Sequence, residues 1–148
     1  MALVKIDPKK VVKTVSAMDS AIDKENSDME KFEKTHDVKY LKFLADQQPT
    51  FFLVKSILAT LQAAIQEEHY TVIMPDPKDK DAKPKMESKN QSEMLIKYFQ
   101  HGCEKYEEGG KEFPCSPDLF PFSIVQEMGS YIMLRTALGD DEKKFLES

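Results

Sequence analysis

Apolar residues recur along most of the chain at steps of three and four with Lys, Asp and Glu between them, which is the period of an amphipathic helix. Asp7 followed by Pro8 opens the first such stretch, because a carboxylate accepts from exposed amides and proline fills a first-turn position without losing a needed donor. The stripe Val11, Val15, Met18, Ile22, Met29 and Phe32 then predicts one long helix over residues 8–35, with a bend where Glu25 interrupts it. Asp37 caps a second, shorter helix through Val38, Leu41, Leu44 and Ala45 that ends before Pro49. From Thr50 to His69 the apolar positions cover most of the circumference, which places a third helix at the centre of its bundle with Phe51, Leu58 and Leu61 buried.

The pattern then changes character. Tyr70–Met74 is β-branched and reads as a short extended piece, with Leu3–Ile6 as its conceivable partner. Residues 75–91 alternate in charge and hold three prolines, so they read as a flexible surface loop, either a docking segment or a plain linker. Ser92 caps a fourth helix showing Leu95, Tyr98, Phe99 and Tyr106, and Gly109-Gly110 supplies its left-handed stop. A proline-pinned stretch, Lys111–Ser123, carries Phe113, Leu119, Phe120 and Phe122. The fifth helix, over 123–138, places Ile124, Met128, Tyr131, Ile132, Arg135 and Leu138 near one side, and Asp140 opens a last turn. Together these elements predict an all-α fold, a single-domain bundle of about five helices spanning 1–148 with a mobile charged loop and a proline-aromatic connection.

Composition narrows the function. The chain has 148 residues and a net charge of −5, and 20 of its 21 basic residues are Lys. A surface that reads nucleic acid would use the bidentate guanidinium fork, so nucleic acid is not an expected partner. The deficit of positive charge lies in residues 100–148, where 5 basic groups face 10 acidic ones. Apolar runs stop at four residues, far short of the ~20 that cross a bilayer, so no membrane partner is expected and the chain reads as cytoplasmic.

Tests for chemistry fail one after another. A di-iron bundle needs two Glu-x-x-His pairs, and only Glu33 with His36 fits, since Gln66 precedes His69 and Tyr98 precedes His101 at that spacing. His101, Cys103 and Cys115, with Asp118, are the right types for a zinc ion, but their spacing departs from the deaminase signature and makes them weak metal candidates. Cys103 and Cys115 read as two free thiols that could approach each other across the intervening loop. No nucleophile elbow or phosphate loop occurs, so no catalytic residue and no cofactor is assigned.

What the sequence supports is a non-catalytic module that binds another protein, of the adaptor, inhibitor, chaperone or host-directed bacterial type. Its contact candidates are Phe113, Leu119, Phe120, Phe122 and Arg135. Arg135 can pair with Glu127, Asp118 or a partner's carboxylate, or cap the helix end. A bundle holding a small ligand or metal, with the third and fifth helices lining the pocket, is the alternative, and an enzyme with an unrecognised site the third reading.

Overall fold

The computed structural model describes residues 9–73, 78, 83–88 and 90–138. Four-residue apolar runs are short enough to be strands, and the run Phe51-Phe-Leu-Val54 is one: β2 (Phe51–Val54). It lies inside an antiparallel sheet of four strands in the order β1-β2-β5-β6. The others are β1 (Val12–Thr14), β5 (Cys103–Glu108) and β6 (Lys111–Pro114). Register pairs Thr14 with Phe52 and Phe52 with Tyr106, and Tyr106 in turn faces Phe113. A central strand covered on both faces needs no polar alternation, which is why this run resembles a buried helix in sequence.

The all-α expectation is therefore wrong. Among the described residues four α-helices accompany the sheet: α1 (Met29–Thr35), α2 (Ala59–His69), α3 (Gln91–Gly102) and α4 (Phe122–Leu138). The long first helix is replaced by β1, a series of turns and α1, which is capped by the Asp28 side chain accepting from the Lys31 N–H. The second shrinks to a single 3₁₀ turn, Val38–Tyr40, where the expected Asp37 carboxylate does accept a backbone N–H, from Lys39. The third divides into β2 and α2. Its centre is not a bundle core, since Leu58 is exposed and Phe51 and Leu61 are half-buried.

α2 runs straight into β3 (Tyr70–Ile73), which pairs antiparallel with β4 (Lys85–Ser88). Part of the stretch read as a linker thus supplies a strand. Residues 1–8, 74–77, 79–82, 89 and 139–148 lie outside the described residues, and with them the Leu3–Ile6 strand, the Asp140 turn and part of the charged loop.

The fourth helix stops at Gly102, and the chain continues as β5 and β6. Gly109 and Gly110, at φ 59° and 80°, form the two-residue turn between Glu108 and Lys111. Positive φ at both central positions matches the twist of a hairpin, so the glycines reverse a ribbon rather than end a helix.

The main core lies between the Phe52 and Val54 face of the sheet and the helices α3 and α4, with Met94, Tyr98, Phe99, Val125, Met128, Tyr131 and Ile132 buried there. A second cluster of Val15, Ile22, Phe32 and Leu41 holds residues 15–43 together. On the Leu53 face, Lys13 pairs with Glu107 at 2.8 Å and Lys105 with Glu112 at 3.8 Å. Pairs of this kind, open to solvent on one side, contribute only ~0–1 kcal/mol each.

Candidate functional site

The proline-pinned connection divides its aromatic residues between inside and outside. Ser116 and Pro117 start a 3₁₀ turn, Pro117–Leu119, and the Ser116 hydroxyl accepts from the Asp118 N–H. Directly after it, Phe120 packs edge-on against Phe52, Phe99 and Tyr106, with ring centroids at 4.9, 6.4 and 5.3 Å. Its neighbours do not follow it inward. Leu119 is 57% exposed and Phe122 50%, while Phe113 on β6 is 38% exposed and stacks on Tyr106 at 5.4 Å. Phe113 and Phe120 thus share Tyr106 as a neighbour.

β6 is also one of the two edges of the sheet among the described residues, with all four of its residues exposed. An edge strand offers a row of unpaired backbone donors and acceptors, and Pro114 at its end removes one donor. Of the predicted contact residues, Phe113, Leu119 and Phe122 therefore reach the surface, Phe120 serves as their anchor, and Arg135 does not belong with them. Arg135 is 6% exposed, within the buried face of α4.

No protein family model, curated protein or solved structure matches this chain. The reading of its chemistry rests on the side chains themselves.

The polar cluster that sequence reasoning missed joins His36, Glu127 and Ser16. His36 ends α1 in the left-handed conformation at φ 51°, its N–H bonded to the Phe32 carbonyl. That turn places its imidazole against Phe32 and Tyr131, with ring centroids at 5.0 and 4.8 Å. The His36 Nε2–H donates to Glu127 Oε2 at 2.9 Å, the Ala17 N–H donates to the same oxygen at 2.8 Å, and the Ser16 hydroxyl donates to Oε1 at 2.6 Å. The Thr14 hydroxyl donates to the His36 carbonyl. Burial pushes the Glu127 carboxyl up, but the bonds from His36, Ser16 and Ala17 outweigh it and hold the group below its ordinary value. Glu127 is the one carboxylate in the α4 sequence, and that isolation was the available signal.

This cluster is built to clamp rather than to react. In a nucleophilic triad the imidazole sits between hydroxyl and carboxylate and takes the proton. Here the carboxylate sits in the middle, and the Ser16 proton points at it. Beside the cluster is an open concavity of about 240 Å³ lined by residues that include Ser16, Asp19, Thr50, Phe52, Phe120 and Ile124. Asp19 is occupied there, accepting from the Ala21 and Thr50 N–H groups. A second concavity of about 290 Å³ lies on the Leu53 face, bordered by Lys55, Glu104, Lys105 and Glu112. Both fall at or below the ~300 Å³ at which small-molecule pockets begin.

The metal candidates separate in the same way. His101 is exposed near the end of α3, and among the described residues no three of His, Cys, Asp and Glu gather closely enough to hold an ion. Cys103 and Cys115 do come together. Their sulfurs lie 3.8 Å apart as free thiols, Cys103 buried and Cys115 half-buried. Among the described residues no helix is long and apolar enough to cross a membrane.

Proposed function

We propose that the protein is a non-catalytic binding module and that its contact surface is the β6 edge with Phe113, Leu119 and Phe122. The observation that supports this reading is the division of the aromatic segment, in which half-buried Phe120 packs on the core rings Phe52 and Phe99 while Leu119 and Phe122 stay exposed. A surface pre-ordered by prolines and one packed, half-buried ring loses little entropy when a partner covers it.

The partner is an extended segment of another protein, added as a strand along β6 and seating an apolar side chain beside Phe113.

Two substitutions separate surface from anchor. Phe122→Ser should leave stability within about 0.5 kcal/mol of the parent, as an exposed change remote from the core does. Phe120→Ser should cost about 3 kcal/mol, because it empties a packed aromatic site. Urea unfolding of both measures this. For binding, the immobilised protein and a Phe113→Ser, Leu119→Ser, Phe122→Ser variant are compared for retention of a co-purifying protein, and amide exchange maps the contact. The reading holds if the partner is lost by the variant and its binding protects the β6 amides. Equal retention by the variant, or protection confined to other elements, overturns it.

A further inference from the structure

A second feature stands apart from the binding surface. Cys103 opens β5 and Cys115 follows β6, so the hairpin register brings the two together: the Cys115 N–H donates to the Glu104 carbonyl at 2.8 Å. The sulfurs at 3.8 Å are in van der Waals contact, whereas a bonded pair would sit at ~2.05 Å. The two are unequal. Cys103 is 1% exposed and belongs to the main core, and its S–H donates toward the Lys105 carbonyl and the Cys115 sulfur. Cys115 faces the connection that leads to the 3₁₀ turn and is partly open to solvent.

We propose that Cys103 and Cys115 form a reversible dithiol–disulfide couple that exchanges with a low-molecular-weight disulfide, Cys115 being the attacking sulfur and Cys103 the resolving one. In the first step the Cys115 thiolate attacks one sulfur of the small disulfide. The S–S bond breaks, and one thiolate leaves with the electron pair and takes up the proton that Cys115 released. In the second step the Cys103 sulfur attacks that of Cys115, and the mixed bond breaks. The second small thiolate leaves and takes the Cys103 proton. Two protein thiols are oxidised and one small disulfide is reduced to two thiols.

The asymmetry suits these roles. Receiving the Cys103 S–H lowers the Cys115 thiol against the opposing effect of burial, and the Ser116 backbone lowers it further. Donating to Cys115, together with burial, raises Cys103. The group that can meet a bulky disulfide is thus the one that more readily becomes a thiolate, and the group that must wait is shielded.

The test equilibrates the whole protein with buffers of reduced and oxidised glutathione, quenches with acid, and reads mass and peptide linkage. The expected product under excess oxidised glutathione is monomer lighter by two hydrogens, with Cys103 and Cys115 joined. It should carry no glutathionyl group and return to dithiol on reduction. Cys103→Ala should instead accumulate one glutathionyl group on Cys115, and Cys115→Ala should stay unmodified. Wild-type protein that keeps both thiols, holds a stable glutathionyl adduct, or forms disulfide-linked dimers overturns the proposal, and that result stands whether or not either variant folds.

Discussion

Glu127→Ala is expected to lose about 3 kcal/mol of folding stability near neutral pH, the cost of leaving several part-buried donors without their shared acceptor. Three donors converge on this carboxylate from two separate regions, residues 16–17 and the end of α1. Removing it leaves the Ser16 hydroxyl, the Ala17 N–H and the His36 N–H without their acceptor in a part-buried site. Urea unfolding measures the loss, and amide exchange should show residues 15–43 opening before α3 and α4. Glu127→Gln keeps the shape and an acceptor oxygen and should lose less.

The same carboxylate predicts the acid response. Because its proton affinity is lowered in the folded protein, it contributes stability that is fully present above the ordinary carboxylate range. That contribution is lost as pH falls through the lowered folded value. Stability measured against pH should therefore fall less steeply on the acid side for Glu127→Gln than for the parent. Parallel acid limbs would show that Glu127 carries no such linkage.

Gly129→Ala is expected to cost about 2 kcal/mol or more, although alanine is the better helix former by about 1 kcal/mol. Gly129 lies within α4 where it crosses α3, and an added Cβ would meet the Leu95 carbonyl oxygen deep inside contact distance and its carbonyl carbon at 3.0 Å. These atoms are backbone, so the helix itself must shift. At the other end of the crossing a Cβ on Gly102 would press on Ile132, with Cδ1 at 2.9 Å. The pair of glycines lets the two helices approach closely over the sheet. Gly110→Ala is the informative contrast, because that position is open in space but sits at φ 80°, and its cost should be the ~1 kcal/mol of left-handed strain alone. Thermal or urea unfolding ranks the two, and a Gly129→Ala protein as stable as the parent would show that the helices are free to separate.

The parts of this fold that were legible in sequence are those specified locally. α4 appears over nearly its predicted span because its buried positions Val125, Met128, Ile132 and Arg135 keep one helical stripe. Asp37 caps a turn as expected, and the prolines between Phe113 and Phe122 do forbid a regular helix until Pro121 has passed. The strands were not legible for physical reasons. β2 is buried on both faces and so shows no alternation, while β5, Cys-Glu-Lys-Tyr-Glu-Glu, holds one aromatic residue among charges and resembles the polar side of a helix. Tyr106 sits at a helical step from Phe99 and at a strand position facing Phe113, and only its partner decides between them. The candidate surface was half visible, since the aromatic segment was identifiable but not which ring would turn inward. The His36–Glu127 contact joins positions 91 apart, and no local pattern encodes it.

The strand order also sets the sequence in which the molecule can assemble. The β5–β6 ribbon closes over two glycines, whereas β2 must travel back across about 50 residues to reach β5 and then receive β1 on its far side. Loop closure on that scale comes before any contact that rewards it, so the ribbon and the adjoining α3 are the natural nucleus and the amino-terminal third is the last part to dock. In a nascent chain the Phe52 and Val54 face of β2 stays uncovered until residues beyond 103 have emerged.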